Sequence, residues 1–266
     1  MPNQILVLPA YEPSPQLPQL MRALSDAFAA VVVVDDGSRR TADVFAETAA
    51  LPGVRLLRHA ANRGKGAALK TAFTDVLRVF PDATGVVTAD ADGQHLPEDI
   101  RRVAAATDAH PNRVTLGVRS FGGRDVPFRS RLGNLWTCGE FFLLTGTWIR
   151  DTQTGLRGIP RALLPRFAAL AGDRYDYESR MLVTATKLPQ PPVQIPITTV
   201  YESGNATSHY RPLADTFSTQ AALVRAAFFS RRDGADAAGR TPRPRPCRAT
   251  GGASSARGSS GARRGT

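Results

Sequence analysis

The 266 residues are 42% hydrophobic with a formal net charge of +11, enough apolar side chain for one large folded domain. Two cysteines, Cys138 and Cys247, are too few for a disulfide framework, and neither an 18-residue apolar run nor a charged-apolar-small leader is present to predict a membrane span or export, so a cytoplasmic protein is expected. The charge is uneven: residues 231–266 hold nine Arg against two Asp, a net of +7, which leaves +4 for residues 1–230 and removes most of the basis for specific nucleic-acid binding.

Ile5, Leu6, Val7 and Leu8 form an apolar run ending in Pro9-Ala10-Tyr11-Glu12-Pro13, the pattern of a buried strand emptying into a rigid loop. Residues 17–30 place Leu17, Leu20, Met21, Leu24 and Phe28 at helical spacing. Residues 31–34 are all valine, as in a parallel strand covered on both faces, and end at Asp35-Asp36-Gly37-Ser38. A helix over 41–51 and a strand over 54–57 repeat the alternation. That strand opens into His59-Ala60-Ala61-Asn62-Arg63-Gly64-Lys65-Gly66, before a helix with Leu69, Phe73, Val76, Leu77 and Phe80 on one side. His59 and His110 receive no role.

Gly85, Val86 and Val87 lead into Thr88-Ala89-Asp90-Ala91-Asp92-Gly93-Gln94-His95, and Pro97 with Glu98 and Asp99 marks the next helix start. His95 reads as a structural residue closing this turn. Residues 114–118 make a further strand, ending at Arg119. Strand-helix alternation with polar, glycine-rich loops after the strands predicts an α/β fold, a mostly parallel Rossmann-like sheet flanked by helices, with ligands along its carboxyl edge.

Residues 120–131 are Gly- and Arg-rich and are expected to be mobile. Residues 132–148 are helix-length but too apolar for one buried face, which fits either a helix packed on two sides or one dipping into a lipid interface. Residues 151–157 read as a polar loop, 161–170 as a short helix behind Pro160, 176–187 as a helix with Asp176 and Glu178 at its positive end, and 193–201 as a strand. Residues 212–230 are amphipathic. From 231 the composition turns to Arg, Gly, Ala, Ser, Pro and Thr, so 1–230 is expected to be the folded domain and 231–266 a disordered tail, either an anion-binding arm or an adventitious extension.

Four loops thus share one edge. Tyr11, Glu12 and Asp36 can stack on and hydrogen-bond a nucleobase, and Lys65, between two glycines, can reach a phosphate. Asp90, Asp92 and Gln94 offer oxygen ligands for a hard divalent cation, Mg²⁺ or Mn²⁺, although a solvated acidic loop would read the same in isolation.

In series, Pro9-Ala10-Tyr11, Val33-Val34-Asp35-Asp36-Gly37-Ser38, Asn62-Arg63-Gly64-Lys65-Gly66, Asp90-Ala91-Asp92-Gly93-Gln94-His95, Gly117-Val118-Arg119, Ser130-Arg131-Leu132-Gly133-Asn134, Asp151 with Thr154-Gly155-Leu156-Arg157, and Tyr175-Asp176-Tyr177-Glu178 resemble the family 2 glycosyltransferases of the GT-A fold, and among them the polyprenyl-phosphate mannose synthase-like enzymes. The resemblance runs from about residue 5 to 230. It implies a nucleotide-diphospho-sugar donor, GDP-mannose or a UDP-sugar, held by Pro9, Tyr11, Glu12, Val34, Asp36, Lys65, Asp90 and Ala91. Metal binding falls to Asp90, Asp92 and Gln94, and catalytic positions to Asp92, Arg119, Arg131 and Glu178. Arg119 and Arg131 would grip a polyprenyl phosphate acceptor; taken alone they read as ordinary surface arginines, and Glu178 as a carboxylate serving the helix dipole.

The implied partners are the donor, the lipid phosphate and a membrane surface or membrane-embedded partner, with the enzyme peripheral on the inner face of the cell membrane. Glu12-Pro13 stands where the mannose synthases carry Asn-Glu, which leaves guanine or uracil open. The resemblance is to bacterial relatives, many of which continue into a small multi-helix membrane domain where the Arg-rich tail begins here. The alternatives are a family 2 transferase with a polysaccharide acceptor and an inactive GT-A-like binding module. A dinucleotide oxidoreductase is disfavoured because the loop after the first strand lacks the glycine-rich phosphate turn.

Overall fold

Continuous aliphatic runs are buried on both faces of a sheet, and β1 (Gln4–Ala10) and β2 (Ala30–Asp35) have every residue buried. In a computed structural model, which describes residues 3–120 and 128–198, alternate side chains of these strands enter two cores. Ile5, Val7, Val32 and Val34 meet Phe73, Val76 and Tyr177 on one face. Leu6, Leu8, Val31 and Val33 meet Leu17, Met21, Phe45 and Ile100 on the other. Around β1 and β2 lie β3 (Val54–Arg58), β4 (Gly85–Thr88), β5 (Thr115–Arg119), β6 (Arg157–Pro160) and β7 (Val193–Ile197). Their order is β3-β2-β1-β4-β6-β5-β7. Every pairing is parallel except those of β6, which runs antiparallel to both β4 and β5.

Strand β6 replaces the expected end of a polar loop. Its sequence, Arg-Gly-Ile-Pro, has little strand character, and neighbours impose the conformation: Thr88 pairs with Arg157 and Thr115 with Gly158. The expected helix behind Pro160 is a 3-10 turn at Arg161–Leu163 followed by the short α6 (Leu164–Ala168), taking α1 to α5 from the helices described next.

Helix α1 (Leu17–Leu24) stops six residues before the expected end. The chain turns there, with Asp26 paired to Arg101 at 2.6 Å and Phe28 entering the core, so that Ala30 can begin β2. Helices α2 (Ala42–Ala49), α3 (Lys65–Val79) and α4 (Pro97–Ala109) lie close to expectation. Helix α5 (Phe128–Thr145) begins earlier, so Arg131 belongs to a helix and not to a mobile segment, and it ends before Trp148 at Gly146, whose φ is +72°. Helix α7 (Tyr175–Thr186) matches its expected span to within one residue at each end.

The rest of the Gly- and Arg-rich segment (121–127), the end of the last expected strand, the amphipathic 212–230 stretch, the domain boundary at 230 and the 231–266 tail lie outside the described residues.

The glycine loop before α3 is locked by close packing. Gly64 has φ +102° and ψ 157°, a conformation open essentially to glycine alone, and a Cβ there would strike the Asp173 carbonyl. Gly64→Ala is therefore expected to destabilise the fold by roughly 2–4 kcal/mol. Equilibrium urea unfolding measures this, and an unchanged midpoint would contradict the packing described.

Candidate active site

Asp90 leaves the end of β4, Lys65 opens α3 and Glu178 sits in the first turn of α7, and the three meet at the carboxyl edge of the sheet. Lys65 Nζ lies 2.6 Å from Asp90 Oδ1 and 3.0 Å from Glu178 Oε2. The side chains are 22%, 29% and 14% exposed, so water screens them weakly. Burial by itself would strip the proton from Lys65; Asp90 and then Glu178 outweigh it and hold the ammonium well above its ordinary range. Burial would likewise raise the Asp90 carboxyl, but Lys65 and His95 hold it far below the usual carboxylate value. Lys65, expected to reach a phosphate, thus lies between the two carboxylates in this structure.

Asp92 differs from its neighbour two residues away. Burial, then the charge of Asp90, pushes its carboxyl above the usual value. Its Oδ1 accepts the Gln94 backbone N–H at 3.0 Å across the turn at Gly93, where φ is +83°. His95 is buried with Nε2 3.5 Å from Asp90 Oδ2, and so backs the acidic turn as expected. Gly155 closes the site from behind: a Cβ there would lie 2.5 Å from Asp90 Oδ2. Among the described residues no three His, Cys, Asp or Glu are grouped closely enough to hold a metal alone. The donor chemistry nevertheless fits an ion shared with a diphosphate, since Mg²⁺-type sites take one or two carboxylates and fill the rest from phosphate and water. An added cation would also relieve the repulsion that raises Asp92.

Along β1 and β2, Pro9 and Val34 are register partners with buried side chains, so they form the floor of the edge. Ala91 is buried beside the acidic turn, and Tyr11 is 42% exposed above the floor. Glu12 and Asp36, expected to contact a base, each hold a loop through backbone N–H groups that donate to their carboxylates. Glu12, at φ +49°, accepts the N–H groups of Arg39 at 3.0 Å and Arg40 at 3.2 Å. The Arg39 bond leads the interactions that hold its carboxyl below the usual range. Asp36 accepts from Arg63 N at 2.9 Å and Gly64 N at 2.7 Å. His59, assigned no role from sequence, has Nδ1 2.6 Å from Asp36 Oδ1 and Nε2 2.9 Å from Thr71 Oγ1. It therefore orients the carboxylate that holds the glycine loop, and its place after a strand facing Asp36 was the available signal.

Arg119 ends β5. Its Nε and Nη2 lie 2.7 and 3.0 Å from the two oxygens of Asp151, a bidentate pair on a fully buried carboxylate. The expected polar loop around Asp151 is thus an interior element: Thr152, Thr154 and Arg157 are buried as well. Arg157, a second residue without a role from sequence, donates to the carbonyls of Thr154 at 2.9 Å and Glu178 at 2.8 Å. It ties the loop to α7 beneath Lys65. Arg119 and Arg131 line one cavity of about 430 Å³ with Leu135 and Trp148.

Helix α5 buries Cys138 and Phe141 and exposes Leu132, Leu135, Trp136, Phe142 and Leu143, with Trp136 at 74% and Leu143 at 85%. Among the described residues, α5 therefore packs on one side only. No helix among the described residues is long and apolar enough to cross a membrane.

The model of the family described as glycosyl transferase family 2 matches residues 5–166. The chain belongs to glycosyl transferase family 2. Over 215 residues, 74% of the chain and 85% of the relative, this glycosyltransferase is 27% identical to the UDP-N-acetylglucosamine–dolichyl-phosphate N-acetylglucosaminyltransferase of Methanococcus voltae. Over 185 residues, 65% of the chain and 67% of the relative, it is 30% identical to the polyprenol monophosphomannose synthase of Mycolicibacterium smegmatis. Its fold is similar to that of the Mycobacterium tuberculosis glucosyl-3-phosphoglycerate synthase solved with Mn²⁺, UDP-glucose and phosphoglyceric acid, with a TM-score of 0.58 at 19% identity, over 86% of this chain and 79% of that one. The architecture is GT-A, a mostly parallel sheet flanked by helices.

The opposite shifts of the two aspartates give the glycosyltransferase opposite responses to neutralisation. A carboxyl raised in the folded state, like Asp92, opposes folding increasingly as pH rises from its unfolded value near 4 through the folded one. One held low, like Asp90, contributes stability that is lost as pH falls below the unfolded value. In metal-free buffer at pH 7, Asp92→Asn is expected to raise the melting temperature and Asp90→Asn to lower it. Shifts of the same sign in differential scanning calorimetry would contradict the assignment.

Proposed function

We propose that the glycosyltransferase moves a sugar from a nucleotide-diphospho-sugar, GDP-mannose or a UDP-sugar, to a polyprenyl phosphate by direct displacement with inversion. The observation that carries this reading is the cavity at the end of β5, where Arg119 and Arg131 meet Leu135 and Trp148 next to the exposed apolar face of α5. Cations with an adjoining apolar wall suit a phosphate on a hydrocarbon chain. The names of the Methanococcus and Mycolicibacterium relatives support the same acceptor class.

Tyr11 would stack on the base above the floor formed by Pro9 and Val34, with Glu12 and Asp36 holding the loops that frame it. Asp90 and Asp92, with Gln94, would hold Mg²⁺ or Mn²⁺, an ion that offsets the charge of the donor diphosphate. The ion in the M. tuberculosis synthase complex supports this choice. Lys65 would exchange a carboxylate for a donor phosphate. Arg119 and Arg131 bring the acceptor anion up against an anionic donor, which would otherwise repel it. An acceptor phosphate oxygen bonds to the anomeric carbon as the bond to the diphosphate oxygen breaks, and the nucleoside diphosphate leaves. The attacking phosphate is already ionised near neutrality, so no strong general base is required. Glu178 acts here by holding Lys65. The outward face of α5 would rest at the inner face of the cell membrane, making the enzyme peripheral.

Purified protein incubated with undecaprenyl phosphate, Mn²⁺ and a panel of GDP- and UDP-sugars should form lipid-extractable sugar from one donor, and none with undecaprenol. Asp92→Ala should reduce the rate at least about 100-fold. Consumption of no donor, or equal transfer to undecaprenol, would defeat the proposal. Trp136→Asp with Leu143→Asp should abolish flotation with anionic liposomes while transfer to detergent-solubilised acceptor persists; unchanged flotation would remove α5 from the membrane contact.

A further inference from the structure

A second cavity, of about 390 Å³, opens on the outer face of α3, between Leu57 of β3 and Asp173 ahead of α7. Its helical lining, Ala67, Lys70, Thr71, Thr74 and Arg78, recurs at three- and four-residue spacing, so the groove follows the helix axis. Lys65 opens α3 and Arg78 lies in its last turn, and a 15-residue helix is about 22 Å long. The groove therefore leads away from the carboxyl edge of the sheet, where Asp90, Asp92 and Lys65 meet. Its volume is in the range of small-molecule sites.

Cations outnumber carboxylates along this groove. Arg55 contacts both oxygens of Asp75, through Nε at 2.5 Å and Nη2 at 3.0 Å, and Arg78 Nη2 shares one of those oxygens at 3.0 Å. Lys70 Nζ lies 2.6 Å from Asp173 Oδ1, and Lys70, then Arg63, hold the Asp173 carboxyl below its usual range. Each carboxylate thus answers two cations, which leaves a net charge of +2. Arg63 and Arg78 stand at opposite ends of α3, so the surplus suits a ligand that is anionic at both ends. Asp173 is 62% exposed, and Lys70 can exchange it for a phosphate at little cost.

A solvated basic helix face would carry the same charges, but this groove is also built into the glycine loop. Thr71 Oγ1, on its wall, lies 2.9 Å from His59 Nε2, and His59 Nδ1 lies 2.6 Å from Asp36, which accepts the N–H groups of Arg63 and Gly64. On the other wall the Asp173 carbonyl accepts the Ala67 N–H at 2.9 Å and packs against Gly64. Both walls therefore hold the loop that presents Lys65 to Asp90.

We infer that the α3 groove is an effector site for a small bisphosphorylated molecule, with one phosphate at Arg63 and Lys70 and the other at Arg78, and that its occupancy restrains the glycine loop and strengthens nucleotide binding beside Lys65. The groove itself does not depend on the proposed function, whereas the coupling rests on the donor class proposed above. By linkage, the donor nucleotide strengthens bisphosphate binding by the same factor.

Calorimetric titration of the full-length protein with fructose 1,6-bisphosphate, fructose 6-phosphate and inorganic phosphate, in buffer free of divalent cations, tests the groove, with melting temperature as a check on folding. The bisphosphate should bind at least about tenfold more tightly than either monophosphate, and Arg78→Ala should remove that advantage, as expected for losing a charge-assisted hydrogen bond. Lys65→Gln should leave it intact. A wild type without preference for the bisphosphate overturns the site. So does binding that Lys65→Gln abolishes while Arg63→Ala and Arg78→Ala keep it, because the ligand then occupies the donor edge. With Mn²⁺ and saturating bisphosphate, UDP or GDP should bind about fivefold more tightly than without it. Thr71→Val, which loses the hydroxyl facing His59, should keep bisphosphate binding and lose that gain. Unchanged nucleotide affinity in the wild type overturns the coupling, and binding of neither nucleotide overturns the donor class while the bisphosphate titration still decides the groove.

Discussion

One ammonium group joins three parts of the chain that are far apart in sequence. Lys65 contacts Asp90 and Glu178 at hydrogen-bonding distance, linking the loop after β3, the acidic turn after β4 and the start of α7. Two carboxylates converging on a poorly solvated spot repel each other unless a cation lies between them. Removing one partner from such a cluster typically costs about 3–5 kcal/mol when it is fully buried, and less in proportion to solvent access. The surrounding structure serves this contact. Gly64 allows the tight approach of the α3 start to Asp173, Gly155 leaves room for the Asp90 carboxylate, and Arg157 holds the backbone of Glu178 from below. A cation between carboxylates is also a readily exchangeable arrangement, because a diphosphate with its ion offers both partners equivalent charges.

The edge of the sheet divides into groups that build and groups that remain available. Glu12 and Asp36 are engaged with backbone, and Asp36 with His59, so they set the shape of this edge of the sheet. Asp151 performs the same service for Arg119. Asp92 is left as the carboxylate that burial and Asp90 disfavour as an anion; under the proposed function a cation would relieve it. Beyond Arg119, the cavity and the outer face of α5 join positive charge to exposed apolar surface, a combination that a soluble sugar acceptor would not need.

The alternation of strand and helix was legible because β1, β2 and β4 carry apolar runs, β3 and β5 short apolar clusters, and the helices between them keep a buried stripe. Spacing and motif company singled out Asp90, Asp92, Lys65 and Glu178, and the structure brings Lys65, Asp90 and Glu178 together at one edge. Strand β6 was not, since Arg157, Gly158 and Pro160 have poor strand propensity and form a strand only because β4 and β5 flank them. The early end of α1 was hidden as well: Phe28 continues the helical spacing, yet it enters the core from a turn. Polarity misled at Asp151, where a buried carboxylate exists because Arg119 balances it. The same limit applies to Glu12 and Asp36, since a sequence shows a carboxylate near a loop without showing which N–H groups already occupy it. For α5, composition left two environments open, and among the described residues Trp136 and Leu143 stand uncovered.

The central claim is that two anions meet at one edge, the donor diphosphate at Asp90 and Asp92 and the acceptor phosphate at the arginine cavity. A crystal structure of the protein with a nucleotide-sugar, Mn²⁺ and farnesyl phosphate tests it most directly. The account predicts an anomalous Mn²⁺ peak between the Asp90–Asp92 turn and the diphosphate, with the farnesyl phosphate headgroup against Arg119 and Arg131. A bound donor whose metal lies away from both aspartates, or a farnesyl phosphate seated elsewhere, would contradict it.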